Sequence, residues 1–113
     1  SMLRPAQEND KEEDSATVAK RVLQARKKQM ARANKTNTML ENKELDIYCT
    51  LSDNNYQLLE HAISRFGLSA RAYHRILKVA RTIADLADSD QIQTAHLSEA
   101  IGYRRLDTRN PQH

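Results

Sequence analysis

Gly67-Leu68-Ser69-Ala70-Arg71-Ala72-Tyr73-His74-Arg75-Ile76-Leu77-Lys78-Val79-Ala80-Arg81-Thr82-Ile83-Ala84-Asp85-Leu86-Ala87 is the stretch whose pattern decides the fold. At about 100° per residue, Ala72, Tyr73, Ile76, Leu77, Val79, Ala80, Ile83, Ala84, Leu86 and Ala87 fill one half of a helical circumference. Arg71, His74, Arg75, Lys78, Arg81, Thr82 and Asp85 fill the other. Ser69 is placed to cap this helix, and Gly67 to end the preceding one in a left-handed conformation. Arg71 is the anomaly. A cation in the first turn opposes the helix dipole, at a cost of about 0.3–1 kcal/mol. An anion in front of the helix reverses the sign, because the free N–H groups, the dipole and the guanidinium then converge on one phosphate.

Four further helices are predicted outward from this one. The first spans residues 14–33, capped by Asp14 or Ser15, with Val18, Val22, Ala25 and Met30 near one face. Residues 34–40 read as a loop and residues 41–49 as a short helix, with Leu45 and Tyr48 inward. Ser52 caps a helix over 53–66, in which Leu58, Leu59, Ala62, Ile63 and Phe66 have helical spacing. Beyond a connector with Ile92 as a core plug, Thr94 caps a last helix over 95–103, with Leu97, Ala100 and Ile101 inward. Tyr48, Tyr56 and Tyr73 read as core residues with a wet hydroxyl, His74 and His96 as surface or capping residues, and Cys49 as a small buried side chain.

Composition agrees with an all-α fold, a small bundle of four to five helices. The chain has 113 residues, enough for one domain; it is 39% hydrophobic but only 4% aromatic, so its core is aliphatic and thin. Two Gly and two Pro are too few for a turn-rich β fold. The lone Cys49 excludes an internal disulfide framework and fits a reducing, cytoplasmic setting. No apolar run reaches the roughly 20 residues that span a bilayer, and no signal peptide is seen. There is no Gly-rich phosphate loop, no metal-ligand spacing among His61, His74, His96, His113 and Cys49, and no nucleophile–base pair. The chain alone is not expected to be an enzyme. The opening Ser1-Met2 reads as a tag remnant, and residues 2–14 as a linker, so a longer parent is expected.

Several strings resemble the C-terminal end of the ComM/YifB family of bacterial magnesium-chelatase-like AAA+ ATPases. They are Leu68 to Leu77, Ala80 to Leu86, Ala95-His96-Leu97 with Ala100-Ile101, and Tyr103-Arg104-Arg105-Leu106-Asp107. Arg21-Val22, Ala25-Arg26 and Gln29 are similar to the first lid helix of that family. The resemblance implies the helical lid of an AAA+ module. Residues 1–13 are then a linker from the preceding ATPase core, 14–104 the lid, and 105–113 a polar tail. It implies ATP with Mg²⁺ in the full-length protein, and partners in the upstream core, in neighbouring subunits of a hexamer and in DNA passing through the ring. It also implies a role in DNA uptake, recombination and branch migration. Arg71 matches the second-sensor arginine, which contacts the terminal phosphate of ATP, and Arg75, one turn along, is a supporting candidate. The P-loop, the Mg²⁺-binding acids and the arginine finger are expected upstream. The acidic lead-in, Asn9 to Asp14, and the loop at 35–39 depart from the pattern and leave linker length and subunit interface open.

From the residues alone, the favoured reading of Arg71 is a solvated arginine or one paired with a nearby acid, and that of Arg75 a surface charge. A second reading is an independent basic helical nucleic-acid-binding domain. It rests on the net charge of +3 and on Lys20, Arg21, Arg26, Lys27, Lys28, Arg32 and Lys35, a run with no acid in it. By helical angle these residues spread round the axis, which favours a solvated surface or a subunit contact. A third reading, tetrapyrrole metallation by kinship, would require porphyrin-dependent ATPase activity of the parent.

Overall fold

A computed structural model describes residues 3–109, with side chains described for residues 15–103. The architecture is all-α, with no strand among the described residues. Helices α1 (Leu3–Ala33), α2 (Asn42–Tyr48), α3 (Asp53–Phe66), α4 (Ala70–Leu86) and α5 (Thr94–Arg109) follow one another, with a 3-10 turn at Asn37–Met39. The amphipathic α4 is the hub. It packs on α5, α1, α2 and the 3-10 turn, and α3 closes the bundle against α5. The core joins Leu40, Leu45, Cys49, Leu59, Ile76, Leu77, Ala80, Ala84, Ile92, Leu97 and Ala100. Leu45, Leu59 and Leu97 are its fully buried large side chains, each worth about 1.5–3 kcal/mol of transfer free energy.

Local chemistry sets most helix ends. Glu41 caps α2 through a reciprocal box with Glu44, whose side chain accepts the Glu41 N–H at 2.8 Å. Ser52 caps α3, accepting the Asn55 N–H at 3.2 Å. Gly67 adopts φ 62°, which lets the Leu68 N–H reach back to Ile63 O at 3.0 Å. Asp88, also left-handed at φ 57°, ends α4 in the same way, with the Ser89 N–H on Ala84 O at 2.8 Å.

Five expectations need correction. The helical backbone of α1 starts at Leu3 rather than at residue 14; proline in a first turn, as at Pro5, removes an N–H that has no intrahelical acceptor anyway. The last helix continues to Arg109, into the stretch read as a tail, and residues 110–113 lie outside the described residues. Of the four apolar residues placed near one face of the first helix, Ala25 is buried and Val18, Val22 and Met30 are exposed, because α1 packs on α4 over only part of its length. Thr94 does not cap α5 with its side chain. Its hydroxyl donates to the buried Asn55 Oδ1 at 2.7 Å, while His96 Nδ1 accepts the Gln93 N–H at 2.9 Å. Tyr56 and Phe66, expected inward, are also exposed.

Candidate functional site

The site begins where α4 begins. Ser69 Oγ accepts the Ala72 N–H at 3.1 Å, and the N–H groups of Ala70 and Arg71 have no intrahelical partner. Arg71 is exposed beside them, and among the described residues it forms no ion pair. Arg71, His74, Arg75 and Lys78 share one ridge, which covers roughly 10 Å along the axis at 1.5 Å per residue. The ridge edges a cleft of about 940 Å³. Val79, Ile83 and Leu86 give the cleft an apolar lining, the 3-10 turn region adds Thr38 and Asn42, and α5 adds Glu99 and Tyr103. Among the described lining residues three permanent cations face one carboxylate, and the Tyr103 hydroxyl donates to that carboxylate at 2.9 Å. His74 meets the Tyr73 ring edge-on, with centroids 5.6 Å apart.

A buried ionic cluster fixes the ridge from below. Asp85, 2% exposed, accepts two hydrogen bonds from the Arg32 guanidinium (2.7 and 3.1 Å), one from Asn37 Nδ2 (3.0 Å) and one from Arg81 Nε (3.2 Å). Burial pushes the Asp85 carboxyl up, but the hydrogen bonds from Arg32 and Asn37 and the charge of Arg81 outweigh it, so it is held below the usual carboxylate range. The hydrogen bond to Asp85 likewise holds the Arg32 guanidinium above its ordinary value. Arg81 spends its remaining donors on Ser89 O at 2.8 Å and Asp90 O at 3.0 Å. No buried side-chain polar atom among the described residues lacks a partner. Asn37 Nδ2 also donates to Thr82 Oγ1 (3.0 Å), and Lys78 Nζ donates to Thr38 O (3.3 Å). The end of α1, the 3-10 turn and the C-terminal half of α4 are therefore one unit beside the cleft.

Both arginines singled out in the sequence, Arg71 and Arg75, line this cleft. His74 and Lys78 join them, although only the two arginines carried the expectation. Arg81 and Asp85, read as part of the polar face, are instead buried. Their spacing of four residues was a signal for pairing, but not for burial. The basic run divides: Lys28 pairs with Asp88, Arg32 with Asp85 and Lys35 with Glu44, leaving Lys20, Arg21, Arg26 and Lys27 on exposed surface. Cys49 is buried, and burial pushes its thiol up to about 11. Among the described residues no group of three His, Cys, Asp or Glu could hold a metal ion, and no helix is long and apolar enough to cross a membrane.

The sequence profile of the family described as magnesium chelatase, subunit ChlI C-terminal, matches residues 12–104. Similarity extends to named relatives. The competence protein ComM of Haemophilus influenzae is 52% identical over 97 residues, which are 86% of this chain and 19% of that protein. The uncharacterized protein YifB of Salmonella typhimurium is 47% identical over 102 residues, 90% of this chain and 20% of the relative. The Escherichia coli YifB is 47% identical over 95 residues, 84% and 19% respectively. The chain thus spans about a fifth of the length of the relatives it matches.

Proposed function

Because the chain belongs to the magnesium chelatase subunit ChlI C-terminal family, we propose that it is the lid of a ComM/YifB-type AAA+ ATPase, which couples nucleotide state to lid position. The observation that carries this reading is Arg71, a cation in the first turn of α4, exposed at the cleft and without an ion pair among the described residues. That arrangement costs stability unless an anion comes to it. A nucleotide held by the parent's core supplies a polyphosphate there, with Mg²⁺ bound by core residues. Arg71 donates to its terminal phosphate, the unpaired N–H groups of α4 support the same charge, and Arg75 stands one turn behind. The buried Asp85 cluster passes the position of α4 to α1, so that loss of the phosphate frees the whole lid to rotate. The printed name of the relative ComM, a competence protein, supports a role in competence, and the proposal extends to a cytoplasmic hexameric ring that acts on DNA in recombination and branch migration.

The test is Arg71→Ala in the full-length parent. A hydrogen bond to a charged group is worth about 1.5–3 kcal/mol, so ATP turnover should fall about tenfold to a hundredfold. The melting temperature of the lid should not fall. Wild-type turnover in that variant removes the sensor role. The alternative, an independent nucleic-acid-binding domain, requires submicromolar DNA binding by the 113-residue chain that weakens steeply with salt. Three of the seven basic residues on which it rests are already engaged in intramolecular ion pairs.

A further inference from the structure

The face that buries α1 continues past the end of its partner. α1 and α4 run antiparallel: Arg32 pairs with Asp85, and one turn back along α1 Lys28 pairs with Asp88, just beyond the last residue of α4. α1 extends further towards its N-terminus, so the turns around residues 15–24 overhang α4. At about 100° per residue, Val18, Val22, Ala25, Gln29 and Arg32 lie in a single band roughly 80° wide. In the packed half Ala25 and Gln29 are 2% and 5% exposed, whereas in the overhang Val22 and Val18 are 38% and 51% exposed. Arg21 edges the band on one side and Arg26 on the other, and both are exposed. Valine is a weaker helix former than lysine or glutamate, so two valines gain nothing on a solvated helix face.

We propose that this overhang docks on the remainder of the parent polypeptide, against an apolar ridge flanked by carboxylates that meet Arg21 and Arg26. Three observations favour that occupant over a second copy of the chain. The strip is continuous with the α1–α4 interface rather than a separate patch. The matched relatives carry about four-fifths of their length outside this segment. The flanking charges are both positive, so the strip does not complement itself across a two-fold axis. Arg71 plays no part in this contact, and wild-type turnover in Arg71→Ala would leave it standing.

Hydrogen–deuterium exchange separates the outcomes. In the full-length parent, backbone amides of residues 18–26 should exchange at least about tenfold more slowly than in the dilute 113-residue chain. The double substitution Val18→Asp/Val22→Asp should remove that protection and leave residues 70–86 protected as before. Leu23→Asp, off the strip, should keep it and so reports on global unfolding. Equal exchange in the parent and the short chain overturns the proposal. So does protection that appears in the short chain alone as its concentration rises, which would identify a second copy as the occupant.

Discussion

Two arginines ten residues apart on α4 meet opposite fates. Arg71 stands exposed at the mouth of the cleft, while Arg81 is 4% exposed with its donors shared among Asp85, Ser89 O and Asp90 O. Removing each side of this contrast has a defined consequence. In the 113-residue chain, Arg71→Ala relieves an unfavourable dipole interaction and should leave thermal stability unchanged or raise it by up to about 1 kcal/mol. Asp85→Asn keeps the shape but strips the charge from beneath Arg81, and should cost about 3–5 kcal/mol in urea denaturation. The acid limb follows from the same carboxylate. Its pKa in the fold lies below its unfolded value of about 3.9. Its stabilisation is therefore complete above that value and is lost as pH falls through the folded pKa. Melting temperatures followed from about pH 6 to about pH 2 should hold and then drop below about pH 4, and Asp85→Asn should flatten that drop. The pairing of Arg81 with Asp85 could be read from a spacing of four. The burial could not, because Arg32 and Asn37 come from 53 and 48 residues away.

At the scale of elements, boundaries set by local chemistry were readable and those set by partners were not. The start of α3 at Ser52 and its end at Gly67 follow from hydroxyl capping and a positive φ, both written in the residues themselves. Gly67→Ala should cost about 1–2 kcal/mol, read as a lowered melting temperature. The penalty is purely conformational, since a Cβ there would meet nothing within 4 Å. The first helix differs from its reading, because Val18, Val22, Ala25 and Met30, which fall near one face, are not buried alike. Ala25 is buried while Val18 and Val22, in the same band, are exposed. The last helix misled at its start for a related reason: the Thr94 hydroxyl is drawn to Asn55, 39 residues away, and His96 supplies the cap instead.

For the whole molecule, one strongly amphipathic helix with four others was enough to foresee an all-α bundle, whereas the position of α4 at its hub is visible only in the structure. The oddity of a cation at a helix start was enough to single out Arg71. The cleft was not foreseeable, since Thr38, Lys78 and Tyr103 reach it from three separate elements. The proposed role is that of a lid that completes a nucleotide site held elsewhere, so the 113-residue chain should neither hydrolyse ATP nor bind it tightly; isothermal titration with ATP checks this, and micromolar binding would show that the chain holds the nucleotide unaided. The most direct measurement is a structure of the full-length assembly with a non-hydrolysable ATP analogue bound. The Arg71 guanidinium should lie about 2.7–2.9 Å from a terminal phosphate oxygen. A guanidinium turned into bulk solvent, away from any anion, would contradict the account.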